Sequence, residues 1–497
     1  MRRRRLAGAG FGLLALLAAL LTPERDASVG PTPGRDPFVW GQDDLWTQLE
    51  ARFEDASARG CEDGTAAIDA GLEGLDSTLD TLDAAAPPPS DALWRTVEGQ
   101  LFEVAPLTGA CPARIDDLAA RIVRLRAVVE RARVHWDPTD RATRHTLYRL
   151  LYGSRAALEE LLLQLPQRVR QRESLVVMAG SDVPSSAPST EIRGVTLHSG
   201  DILVSRGGAP TSAMIARGND FPGNFSHVAL LHVDASGEAT VIESHIESGV
   251  GTTDGATYLA DPKLRIMVMR LRPDDPALED DPLLAHHAAE DALHAARAAH
   301  IPYDFAMDTA DPSAQFCSEV ASAAYRGRGV LLWRGLSSFS SPGLTRWLSA
   351  FGVRHFETHG PSDLEYDAHL QVVAEYRDPD TLFDDHVDNA IIDAMLAGAE
   401  TGDEVQYNGA QLPLARLAKA YSLVLNLFGE VGPIPEGMSA TTGLRVAWLQ
   451  ERHGRIRDGL LPRIEEFERV HGRRPAYWDL ARLAREAEMD LPPPGGA

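Results

Sequence analysis

The chain has 497 residues, 48 basic against 72 acidic for a net charge of −24, and 44% hydrophobic residues. That apolar share supports packed cores and rules out a disordered or collagen-like chain, while the acidic balance repels phosphate backbones and argues against DNA or RNA partners. At roughly 100–200 residues per domain, two to four domains are expected.

At the N-terminus, Arg2–Arg5 precede an uncharged, mostly apolar run from Leu6 to Leu21. A basic segment followed by such a run predicts either a cleaved secretory signal or an uncleaved membrane anchor. In both cases the body is exported. No good small-x-small cleavage site follows, and residues 22–37 read as a Pro- and Gly-rich tether. From 38 to 179 the pattern is helical: Leu118, Ile122, Leu125 and Val129 recur at three-to-four spacing, and Ser90 or Asp91 is placed to cap a helix after Pro87–Pro89. Cys61 and Cys111 share this segment. They form one disulfide in an oxidising compartment or stay as two buried thiols.

Residues 180–190, rich in Ser, Pro and Asp, read as a linker, after which the period changes. Asp201–Ser205, His227–Val233, Ala239–His245 and Leu264–Leu271 are short apolar or β-branched runs bounded by turn residues. Asp234–Gly237 turns the second into the third, predicting a hairpin. Helix is expected over 282–300 and again from near Cys317, a last strand over Leu370–Arg377, and helix from Thr381 to Met489. Residues 491–497 form a Pro- and Gly-rich tail.

Serine-hydrolase, phosphate-loop and zincin motifs are absent, which leaves the single remaining thiol. Cys317 falls at the start of a helix in Gln315-Phe316-Cys317-Ser318-Glu319-Val320, where free N–H groups and the macrodipole favour a thiolate. His227 opens an apolar strand in Asn224-Phe225-Ser226-His227-Val228, placed to present its ring at a cleft. Glu243, His245 and Glu247 fall on one strand face if the chain stays extended, and any of them could orient an imidazole. His287, Glu290 and His294, beside His286, also share a helix face. This is read as a polar face rather than a metal site, so no metal and no cofactor is expected.

Taken in order, Gly200-Asp201-Ile202-Leu203, Ser226-His227-Val228, Val241-Ile242-Glu243, Gly249-Val250, Pro302-Tyr303-Asp304-Phe305 and Phe316-Cys317-Ser318-Glu319-Val320 resemble the permuted papain-like amidases. These YiiX/YebB-like cysteine hydrolases are relatives of the NlpC-type cell-wall peptidases, and the resemblance runs from about 197 to 377. It implies an α+β fold, a circularly permuted papain-like core with an antiparallel sheet spanning 191–380 and helical domains on both sides (38–179 and 381–490). In such a core the His and its acidic partner precede the nucleophile. The resemblance further implies Cys317 as nucleophile, His227 as base and Glu243 as its orienting group, with Tyr303 and Ser226 in the substrate pocket.

The expected activity is hydrolysis of an amide in a cell-envelope peptide or N-acylated molecule, in the periplasm or at the inner membrane. Membrane association through the N-terminal segment is a further expectation. A lipid acyltransferase or thioesterase using the same dyad, which needs an apolar groove, and an inactive envelope-binding module are the competing readings.

Overall fold

The structure, a computed structural model, describes residues 22–24, 42–165, 176–179, 183–260, 263–377 and 379–492. The expected signal or anchor at 1–21, the tether over 25–37 and the tail from 493 lie outside the described residues.

Among the described residues, five helices form the N-terminal layer: α1 (Gln42–Arg59), α2 (Cys61–Ala85), α3 (Ala92–Gly109), α4 (Ile115–Ala132) and α5 (Arg141–Gln164). Their apolar stripes meet as the spacing predicted. Ile68, Leu72, Leu75, Leu79 and Leu82 of α2 face Leu118, Ile122, Leu125 and Val129 of α4 in one core. Asp91 caps α3 by accepting the Leu93 N–H at 2.9 Å, and Asp140 caps α5 by accepting that of Thr143 at 2.8 Å. Cys61 and Cys111 are joined as a disulfide with their Cα atoms 5.0 Å apart, tying the start of α2 to the turn after α3.

The helical reading of this segment fails at its end. Val176–Ala179 is a strand, β1, because its neighbour is the edge of a sheet whose unpaired groups it satisfies. The expected linker is likewise not free along its length. Val183 and Ala187 are buried, and Ser189 already opens a strand.

The sheet strands are β1, β4 (Ile202–Gly207), β5 (His227–Val233), β6 (Ala239–His245), β7 (Gly249–Asp254), β8 (Lys263–Leu271) and β11 (Leu370–Arg377). They pair in the order β1-β11-β8-β4-β5-β6-β7, and every pair is antiparallel. The hairpin predicted at Asp234–Gly237 forms between β5 and β6. Beside the sheet lie the small ribbons β2 (Ser189–Ile192) with β3 (Val195–His198) and β9 (Ser337–Ser338) with β10 (Glu357–Thr358).

The sheet is buried on both sides, as its nearly continuous apolar strands require. Ile202, Val204, Val228, Leu230 and Ile242 pack on one face with helices α9 (Leu284–Ala298) and α10 (Cys317–Gly327). Leu203, Ala229, Leu231 and Val241 face the other way, towards Tyr258 and Val373. Three short helices, α6 (Pro210–Arg217), α7 (Gly255–Ala260) and α8 (Ala277–Asp280), fill the connections. At Gly200, φ is +96°, and an added Cβ would lie 2.5 Å from Ala285 of α9. Only glycine lets that helix approach, and Tyr325 of α10 donates its hydroxyl to the Gly200 carbonyl at 2.6 Å.

The remaining helices among the described residues are α11 (Pro342–Phe351), which the sequence reading did not single out, and α12 (Pro379–Thr401), α13 (Leu412–Asn426), α14 (Ala440–His471) and α15 (Tyr477–Met489), which fall in the stretch expected to be helical. Buried ion pairs join both helical layers to the sheet. Arg155 of α5 lies 2.5 Å from Glu365 and 3.1 Å from Glu375 of β11, and Arg126 of α4 pairs with both carboxylates. Arg265 of β8 pairs with Glu159 of α5 at 2.5 Å and with Asp385 of α12, which also lies 3.0 Å from Arg206 of β4. Such charges are costly to bury, and their worth lies in fixing which helix meets which strand.

Candidate active site

The sheet and α10 converge on a cleft of about 170 Å³ lined by Ser226, His227, Glu243, Tyr303 and Cys317. Cys317 is the first residue of α10, where the leading N–H groups have no acceptor within the helix. Just before it, the Phe316 N–H donates to the Glu319 carboxylate at 3.0 Å, fixing how the chain enters the helix. Burial pushes the Glu319 pKa up to about 8, so this carboxyl is mostly neutral at pH 7.

Gln315 ties the approach to the sheet. Its carbonyl accepts the Ser244 hydroxyl of β6 at 2.6 Å, and its N–H donates to the Pro302 carbonyl at 2.9 Å.

His227 opens β5, where Ser205 of β4 stands opposite it. Its Nε2 is hydrogen-bonded to Glu243 Oε2 at 2.8 Å, which leaves Nδ1 as the nitrogen for its hydrogen bond with Cys317. The β5–β6 register pairs Ala229 with Glu243, so Glu243 reaches His227 diagonally across the hairpin. Continued two residues, that register sets His245 beside His227, and the two rings stack with centroids 5.5 Å apart. His245 Nε2 lies 3.2 Å from the other Glu243 oxygen, on a half-exposed side chain.

Glu247 is not on the strand. β6 ends at His245 and residues 246–248 turn, so the extended face expected to carry all three residues breaks before the last. Glu247 still lines the cleft.

The charges follow from these contacts. Burial pulls the His227 pKa down, but the bonds to Cys317 and Glu243 outweigh it and raise it to about 9. Burial pushes the Cys317 thiol up, and the His227 bond and charge more than reverse this, bringing it below the ordinary thiol value. Burial also opposes ionisation of Glu243, yet its bonds from His227 and His245 hold it well below the usual carboxylate range. The arrangement can therefore carry a thiolate, an imidazolium and a carboxylate in a row near neutral pH.

Tyr303 is held by an edge-strand contact. The Val250 N–H donates to the Ile301 carbonyl at 2.9 Å, and Gly249, at φ +71°, would place a Cβ 2.2 Å from that same oxygen. Burial, then the charges of Cys317 and Asp304, keep the Tyr303 phenol neutral. The Ser226 backbone carbonyl lies 3.9 Å from the Cys317 sulfur, and its hydroxyl is bonded to Ser212 of α6.

Sequence reasoning missed the wall that α6 supplies through Thr211, Ser212 and Ile215, together with Lys263 and the Ser244–Gln315 tie. Pro210 at the first turn after Gly207-Gly208 was the available signal for that helix. On α9, His286 bonds Ser199 and His287 bonds Asp281, each at 2.8 Å. Among the described residues no group of three or more His, Cys, Asp or Glu is arranged to hold a metal ion.

Residues 196–374 match a family of permuted papain-like amidase enzymes, YaeF/YiiX, C92 family, a span close to the 197–377 over which the sequence resembles it. That family is one of cysteine peptidases and amidases, and the central segment of this chain is similar to it in fold class as well. Neither the curated proteins nor the solved structures contain a match to this chain.

Proposed function

We propose that the protein is an exported cysteine amidase that hydrolyses an amide of a cell-envelope peptide or N-acylated molecule. Cys317 is the nucleophile, His227 the proton carrier and Glu243 the group that orients it. The observation that carries this reading is the row Cys317–His227–Glu243 in the cleft, with the thiol at a helix start and the ring held at 2.8 Å by the carboxylate.

The Cys317 thiolate adds to the amide carbonyl carbon, and its electrons move to the carbonyl oxygen. That oxyanion is met by the Cys317 N–H at the helix start. When the C–N bond breaks, the imidazolium of His227 gives its Nδ1 proton to the leaving nitrogen, and a thioester remains on Cys317. Neutral His227 then takes a proton from water as it attacks the thioester. The acid departs and the thiolate–imidazolium pair is restored. Glu243 keeps the ring in its tautomer and offsets its charge throughout.

Polar side chains are available around the cleft to meet the groups beside an amide. Ser205, Thr211, Ser212, Ser226, Ser244, Glu247 and Lys263 line the cleft beside the aliphatic Ile215 and Ile246. Export is supported by the basic-then-apolar N-terminus and by the Cys61–Cys111 disulfide, since such bonds persist in oxidising compartments. The test is an acyl-trapping probe followed by mass-spectrometric site mapping. Label is expected on Cys317 in the wild type and nowhere in Cys317→Ser, which should also lose hydrolysis. Hydrolysis retained in Cys317→Ser would end this reading.

A further inference from the structure

Helix α13 carries its apolar side chains outwards. Leu414, Leu417, Tyr421 and Val424 are 70%, 65%, 58% and 52% exposed, and Phe428 just beyond the helix is 77% exposed. They recur every three or four residues and so form one stripe, which Leu423, Leu427 and Val431 widen at its far end. The inward face holds mostly small residues, with Leu412, Ala415 and Ser422 buried. A contiguous apolar surface of this kind on a folded protein marks a docking site.

Two further observations say what docks. Between Glu404 and Glu430 there is no acidic residue, in a chain with 72 of them, and the two cations of that stretch are turned to the body, Lys419 donating to the Pro435 carbonyl at 2.7 Å and Arg416 pairing with Glu24, so the stripe itself carries no charge. The described residues Thr22–Glu24, which follow the apolar run 6–21 directly, are fastened beside this helix. Arg416 donates to the Thr22 carbonyl and lies 3.5 Å from Glu24, whose carboxylate also accepts the Thr441 N–H at 3.3 Å.

We propose that α13 and the turn after it lie in the plane of a lipid bilayer, apolar stripe down, next to the point where the N-terminal apolar segment joins the body. At about 1.5 Å per residue its 15 residues reach only about 22 Å, so it lies on a membrane rather than across one. Among the described residues no helix is long and apolar enough to span. A second copy of the chain fits less well, because the widened band exceeds a two-position coiled-coil seam and lacks flanking charges of both signs.

The same layer reaches the catalytic cleft. Phe305 and Ile246 pack against the α13 core, and Ile246 also lines the cleft. Docking therefore holds the cleft near the membrane surface.

The test uses the full-length chain in a Cys317→Ser background, with an environment-sensitive fluorophore on Val424→Cys or, separately, on Phe428→Cys. Reconstitution into phosphatidylethanolamine–phosphatidylglycerol vesicles should shift both emissions to shorter wavelength, and spin-labelled lipid should quench them. A label on Val470→Cys, about 45 Å along α14 from its start, should do neither. No shift at 424 and 428 would overturn the proposal. So would a blue emission already present without vesicles and unchanged by them, whether the chain is then a monomer, with the stripe covered by its own residues, or a dimer, with a second copy on it.

Discussion

The charge on Glu243 should set the pH at which His227 loses its proton, and Glu243→Gln isolates that charge while keeping the shape. The rise of the His227 pKa from 6.5 to about 9 corresponds, at about 1.4 kcal/mol per pH unit, to roughly 3 kcal/mol in favour of the imidazolium. Burial works against this, Cys317 is the larger support and Glu243 the next. Removing only the Glu243 charge leaves Cys317 in place and should lower the imidazolium pKa by about one unit, or about 1.4 kcal/mol.

Alkylation of Cys317 reads this without a substrate. An imidazolium beside the sulfur attracts anionic iodoacetate but not neutral iodoacetamide, so the ratio of the two rates falls as the ring deprotonates. In the wild type that fall should centre near pH 9, and in Glu243→Gln near pH 8. Glu247→Gln should leave it in place, because that residue has turned off the strand, and His245→Gln should move it much less. An unmoved midpoint in Glu243→Gln, or a larger shift in Glu247→Gln, would refute the argument.

Stability should carry the same signature. A His whose pKa is raised on folding contributes stability that is complete below its ordinary 6.5 and is lost as pH climbs through about 9. Cys317, held below its ordinary value, works the opposite way over that window, so the wild-type Tm should change little there and should fall with rising pH once the thiol is removed in Cys317→Ala. Glu243, held low, contributes stability that is present above about 4.5 and lost on acidification, so Glu243→Gln should flatten the acid side of a Tm profile. Gly249→Ala meets both a positive φ and the Ile301 carbonyl. It should cost about 1–2 kcal/mol for the backbone alone and displace Tyr303, read as a lower urea midpoint together with slower turnover. Arg155→Ala leaves Arg126 paired with Glu365 and Glu375, so it should cost less than the about 3–5 kcal/mol of a fully broken buried pair, and Arg126→Ala added to it should bring the loss into that range in the same denaturation assay.

What the sequence by itself determined was local. The start of α10 at Cys317, the hairpin at Asp234–Gly237 and the stripes of α2 and α4 each depend on residues within a few positions of one another. Period, turn chemistry and caps are written at that range. The order of the six short motifs carried the family resemblance in the same way, as a string.

Spacing left Glu243, His245 and Glu247 open and the family resemblance pointed to Glu243, but what physically makes Glu243 the residue bonded to His227 is the tertiary structure. That choice rests on the cross-strand register and on the turn that ends β6, and neither is visible along one strand. The strand at Val176–Ala179 was illegible for a related reason: four apolar residues suit a helix end or a sheet edge, and β11 supplies the edge. The joining of Cys61 to Cys111 and the buried arginines that bind both helical layers to the sheet also had no local mark. A buried charge or a disulfide reflects where distant segments are brought together, and packing alone settles that.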